Sequence, residues 1–171
     1  VLGRGADRER LRRARKALRD INRLETFAVQ VYRAQWSRRP TELNRQLVAA
    51  MDNEMTHYAD ALSMLMQFRG RPTPLRAVFY VAGWCLGRAS RMLGLRAMMR
   101  LGMWVEGKAV EHYKHLSAAV QWHRPTYERL LLIWDDERTH RARWQWFLEH
   151  PEAAAAEPAA SDADDPHPHL K

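Results

Sequence analysis

Between residues 7 and 38, Leu11, Leu18, Leu24, Phe27, Val31 and Ala34 are spaced to lie along one stripe of a helix, and no proline interrupts them. Pro40 ends that stretch, and Thr41 stands where it can cap a second helix running to about Arg69. The second stripe is carried by Leu43, Leu47, Met51, Met55, Leu62 and Leu65, and "RGRPTP" (69–74) breaks it. Residues 75–93 follow as an apolar segment with aromatic residues and arginines on it. Its longest uncharged run, Ala77 to Gly87, is eleven residues, too short to cross a bilayer as a helix. Such a segment suits either a helix lying in a membrane interface or a short buried helix with snorkelling arginines. A third long helix is predicted over 95–122 and a fourth over 126–149, stopped by Pro151. No stretch alternates with the period of a strand, so the predicted fold is all-α, with one domain over 1–150. Residues 151–171, rich in Ala, Pro and Asp without apolar periodicity, are predicted to be a disordered tail.

Charge changes this picture little. Residues 1–45 carry thirteen Lys/Arg against five Asp/Glu, and the chain has a formal net charge of +8. In "DRERLRRARKALRD", however, acids recur at helical spacing, which suits a solvated helix face better than a nucleic-acid site. No nucleic-acid partner is expected. The beginning supplies no apolar signal-peptide core. One cysteine, Cys85, excludes an internal disulfide and any metal site built from several cysteines, and points to a reducing compartment.

Candidate chemistry comes from a repeat. "DNEMTH" (52–57) and "DDERTH" (135–140) both read Asp-x-Glu-x-Thr-His. "ETFAVQVY" (25–32) and "EGKAVEHY" (106–113) both read Glu-x-x-Ala-Val-x-x-Tyr. Glu25 stands 29 residues before Glu54, and Glu106 stands 31 before Glu137. One Glu-x-x-His is a weak signal, but two within matching halves are a plan.

On a helix, residues three apart share a face, so Glu54 with His57, and Glu137 with His140, each project a carboxylate and an imidazole together. Four helices each bringing an inward Glu, two adding a His, match the carboxylate-bridged dinuclear site inside ferritin-like four-helix bundles. Four carboxylates neutralise two divalent irons, and neutral imidazoles complete each ion while leaving positions open for O₂. Without cations, four buried carboxylates would repel one another severely. Asp52 and Asp135 are candidates to hold an imidazole N–H from outside, and Tyr32, Tyr113 and His112 to tune the site or line a passage.

Over about 20–145 the chain resembles the demethoxyubiquinone hydroxylase family, ferritin-like di-iron monooxygenases of ubiquinone biosynthesis. The likeness lies in "VYRAQ", "MDNEMTH", "RPTPLRAVFYVAGWCLGRASRMLG", "VEGKAVEHY" and "DDERTH". The first-helix segment "INRLETFAVQVYRAQ" lacks the His-Ala-Gly before the Glu and the Gly-Gln after the Tyr of typical members. The resemblance implies Glu25, Glu54 and His57 on one iron, Glu106, Glu137 and His140 on the other, and Glu54 and Glu137 bridging. It implies an apolar interfacial helix at 75–93 between bundle helices 2 and 3. It also implies O₂-dependent hydroxylation of a polyprenyl benzoquinone ring at the surface of a membrane. The expected location is peripheral, on the cytoplasmic side of the cell membrane, or at the mitochondrial inner membrane in a eukaryote. A homo-oligomer or other proteins of ubiquinone biosynthesis are the further partners expected. Two alternatives share the six residues: an iron-handling protein of the ferritin or rubrerythrin kind, and a lipid-binding scaffold with a structural metal site.

Overall fold

The computed structural model describes residues 4–158. Among them there is no strand, and the elements are α1 (Arg4–Gln35), α2 (Glu42–Gln67), α3 (Arg76–Met92), α4 (Leu95–Ala119), α5 (Arg124–Glu149) and α6 (Pro151–Ala155). Helices α1, α2, α4 and α5 form the bundle. The short loops after α1 and α4 make two hairpins, α1–α2 and α4–α5, whose members pack on each other far more extensively than one hairpin packs on the other. The passage between hairpins runs through α3, which lies along the outside of α1.

Local chemistry sets the boundaries. Thr41 caps α2 as its position predicts, its side-chain oxygen accepting the Asn44 N–H at 3.3 Å. Gly94 has φ of 94°, a conformation that costs a glycine little, and this lets the chain turn from α3 into α4. The basic beginning of α1 is largely consumed internally. Arg12 and Arg13 pair with Glu9 at 2.8 and 2.9 Å, and Lys16 pairs with Asp20 at 2.9 Å. Arg15 and Arg19 donate to the carbonyls of Phe68 and Arg71 at 2.7 and 2.9 Å, tying α1 to the chain leaving α2.

Two expectations need correction. The start of the tail predicted over 151–171 is ordered: α6 packs on α2, Ala154 is fully buried, and the Glu42 N–H donates to the Ala156 carbonyl at 2.8 Å. Pro151 ends α5 but also suits the first turn of α6, and the alanines after it favour helix. The tail beyond 158 lies outside the described residues. Met55, placed in the buried stripe of α2, is 53% exposed; the core side of that helix runs instead through Leu47, Ala50, Glu54, His57, Ala61 and Leu65.

The contact of α3 with α1 is backbone-close. A Cβ at Gly83 would lie 2.5 Å from the Phe27 carbonyl oxygen, and one at Gly87 would lie 2.5 Å from that of Val31. Beyond them, the Gln35 amide donates to Ser90 Oγ at 2.9 Å. Most of the remaining α3 surface is apolar and uncovered, with Leu75, Val78, Val81, Trp84, Met92 and Leu93 each at least 48% exposed.

In an exposed helix, Gly→Ala gains up to about 1 kcal/mol. At Gly87 the added atom meets backbone that cannot swing aside, so overpacking wins. We expect Gly87→Ala to lose a net 1–2 kcal/mol, roughly 2–8 °C in thermal midpoint, by circular dichroism melting. A midpoint raised by the substitution would show that the two helices are not in this contact.

Candidate metal centre

The six repeated residues meet between the hairpins. Side-chain ligand atoms of Glu25, Glu54, His57 and Glu137 all lie within 4.8 Å of one another, and so do those of Glu54, Glu106, Glu137 and His140. Glu54 and Glu137 belong to both groups. All six side chains are buried except that of His140, which keeps 13% exposure. They converge because the stripes that bury Leu18, Ile21 and Val31, or Leu130 and Ile133, carry these polar residues on the same helical faces.

Each histidine turns Nδ1 toward the carboxylates. His57 Nδ1 is 3.0 Å from Glu137 Oε1 and 3.9 Å from Glu54 Oε2. His140 Nδ1 is 3.4 Å from Glu54 Oε1 and 3.8 Å from Glu106 Oε1. The two tyrosines of the repeat cross between halves: Tyr32 Oη donates to Glu106, and Tyr113 Oη donates to Glu25. Trp144 Nε1 donates to Tyr32 Oη at 3.2 Å and lies 3.4 Å from Glu106 Oε1. Each tyrosine thereby holds one oxygen of a carboxylate in place.

The outer partners are not those predicted. Asp52 and Asp135 are exposed, and Asp135 reaches only Arg138, at 3.4 Å. The residues that meet the imidazoles are one position further along: Asp136 Oδ2 is 3.2 Å from His57 Nε2, and the Asn53 amide is 3.1 Å from His140 Nε2. An offset of two along a helix turns about 200° away from the Glu, whereas an offset of one turns about 100°, toward the neighbouring helix. The clue available in the sequence was that Asn53 and Asp136 occupy the same place in the repeat. The repeated threonines serve their own helices, Thr56 and Thr139 donating to the carbonyls of Asp52 and Asp135 at 3.2 and 3.1 Å. His112 is half-buried and belongs to neither group.

Electrostatically the centre is unsatisfied by protein alone. Burial first, then the charge of Glu54, pushes Glu25 well above its ordinary value of 4.5. Burial and the surrounding carboxylates do the same to Glu54 and Glu137. Glu54 Oε1, Glu106 Oε2, Glu137 Oε2 and His140 Nδ1 are buried without a hydrogen-bond partner. Orphaned buried acceptors are costly, and four that face one small volume, drawn from carboxylates and an imidazole, form a donor set for divalent cations. A cavity of about 220 Å³ adjoins the centre, lined by residues of α1 and α4 with Phe79 of α3; Phe27, Trp104, Glu25 and Glu54 are among its walls.

A helical bundle whose facing helices bring four buried glutamates and two histidines together belongs to the class of carboxylate-rich metal-binding bundles. A family model described as ubiquinone biosynthesis protein COQ7 matches residues 13–143, and the chain belongs to that family. A mitochondrial NADPH-dependent 3-demethoxyubiquinone 3-hydroxylase of Mus musculus is 31% identical over 83 residues, which are 48% of this chain and 38% of that protein. The chain thus matches well under half the length of this relative.

The raised carboxyls fix the sign of a pH effect. Between 4.5 and their folded-state values, the native protein without metal binds more protons than the unfolded chain, so its stability falls as pH rises through that interval. Cations remove the repulsion and release those protons. Melting the chelator-treated protein at pH 5, 6, 7 and 8 should give a midpoint that declines with pH, and adding Fe²⁺ or Mn²⁺ anaerobically should flatten the trend. A flat profile without metal would contradict the buried cluster of carboxyls.

Proposed function

We propose that this chain is a di-iron hydroxylase acting on the ring of a polyprenyl benzoquinone in ubiquinone biosynthesis, the step named in its murine relative. The observation that carries this is the orphaned Glu/His donor set beside an apolar cavity that Glu25 and Glu54 help to line. Glu25, Glu54 and His57, with Glu106, Glu137 and His140, would hold two irons, which when bound supply the reduction of O₂ and the insertion of one oxygen atom. The balance is ring C–H plus O₂, two electrons and two protons, giving ring C–OH and water. A reduced nicotinamide, as in the relative's name, is the electron source proposed here.

The chain's own residues do the positioning. Phe27, Phe79 and Trp104 offer flat apolar walls for the ring and keep water from it. Tyr32 and Tyr113 hold Glu106 and Glu25 in place by one oxygen each. The uncovered face of α3 lets the protein lie on a membrane, where its substrate's tail resides. Among the described residues no helix is long and apolar enough to cross a membrane. An iron-handling role would use the same six residues, but would leave the aromatic walls of the cavity without a purpose.

In a strain blocked at ring hydroxylation, the chain should restore the mature quinone, detected by mass spectrometry of lipid extracts. Glu106→Ala should lose that rescue and lower the bound iron from about two to about one per chain. Rescue by this variant would defeat the assignment of the site; failure of the unaltered, iron-loaded protein would defeat the assignment of the reaction.

The membrane claim has its own test. The protein should float with vesicles of phosphatidylcholine and an anionic phospholipid, and Val78→Glu with Val81→Glu should reduce the floated fraction several-fold while leaving helicity unchanged. Equal flotation of both proteins would exclude α3 as the docking surface.

A further inference from the structure

Because the halves repeat, the positions where they differ carry information that the shared six do not. The first difference is the partner of each imidazole. His57 Nε2 faces the Asp136 carboxylate at 3.2 Å, and His140 Nε2 faces the Asn53 carboxamide at 3.1 Å. When Nδ1 gives its lone pair to a cation, Nε2 carries the proton and must donate. Asn53 then turns its carbonyl oxygen to that proton, a rotation that exchanges two atoms of equal size. One imidazole therefore donates to a charged carboxylate and the other to a neutral amide. The charge-assisted bond is about twice as strong, and it makes the ligating nitrogen the better donor.

The second difference lies on the terminal carboxylates. Glu25 accepts from Tyr113, whereas Glu106 accepts from Tyr32 and has Trp144 Nε1 at 3.4 Å as well. In the first half, the place equivalent to Trp144, seven after the repeated Glu, is held by Ala61. An added donor draws charge out of Glu106 and weakens it as a ligand. The third difference is exposure: His57 is fully buried, and His140 keeps 13%. All three differences favour the same half.

We infer that the two cation positions are unequal by construction. The one bounded by Glu25 and His57 is tight, and the one bounded by Glu106 and His140 is weaker and exchanges its ion. Asp136 and Asn53 are the positioning residues that set the gap. This rests on the dinuclear reading of the site.

The test is a calorimetric titration of the chelator-treated full chain with Co²⁺, with the cobalt absorption bands recorded at each step. The unaltered chain should take up two equivalents in two steps separated by about ten-fold or more in affinity. Asn53→Asp should strengthen only the second step and narrow the gap. Asp136→Asn should weaken only the first step, by about ten-fold, and also narrow it. The exchange of both, Asn53→Asp with Asp136→Asn, should change the gap by the sum of the two single changes, with the Trp144 contact and the burial of His57 still favouring the first position. Asp136 is 39% exposed and each substitution is nearly isosteric, so circular dichroism should find all four proteins equally helical. If both single variants keep the original spacing of steps, the inference is overturned while the dinuclear reading stands. If the unaltered chain takes up fewer than two equivalents, the dinuclear reading itself is overturned.

Discussion

Four carboxylates enclosed together away from bulk solvent are the constraint from which the rest of this structure follows. Glu25, Glu54, Glu106 and Glu137 are each at most 1% exposed, and like charges at such separations in a poorly polarisable interior do not coexist. Either protons or cations must neutralise them. Protonation answers the charge by letting adjacent carboxyls, Glu25 with Glu54 and Glu106 with Glu137, share a proton. Cations answer it with the carboxylates ionised. Each terminal carboxylate is also steadied by a hydroxyl from the opposite half, Tyr113 on Glu25 and Tyr32 on Glu106.

Much of this was legible in the chain, because the chemistry was written twice. Glu and His three apart can share only one face of a helix, and a lone Glu about thirty residues earlier fixes the partner helix. The convergence of six side chains thus required only helical geometry and the repeat. What lay beyond reach depended on which helix faces which. Asp136 belongs to α5 but serves a histidine on α2, and no spacing within α5 signals that. Met55 fits an apolar stripe, yet it lines a separate groove of about 750 Å³ beside Tyr58 and Tyr80, since periodicity does not distinguish core from cavity wall. The short α6 was hidden for another reason. Its alanines carry too little apolar surface to announce burial, and only the contact with α2 and α5 buries Ala154.

Helix α1 serves two masters. One face supplies Glu25 and Tyr32 to the centre, and another accepts α3 at a distance only glycine allows. Its beginning is held by arginines on the carbonyls that follow α2. A helix fixed on so many sides holds Glu25 firmly against the carboxylates it faces. The uncovered apolar residues of α3 are then fixed in direction relative to the cavity, because Phe79 of that same helix roofs the cavity while Phe27 of α1 forms a wall.

The uneven packing of the bundle has a consequence of its own. The helix backbones approach more closely within each hairpin than between the two, so α1 with α4, and α2 with α5, meet through side chains. Glu54 and Glu137, the two residues common to both groups, stand on opposite sides of that seam. Two apolar cores already cross it, and ions held between them would pin the hairpins at a further point. The cavity lies beside the same seam, so the width of the route inward would depend on that pin.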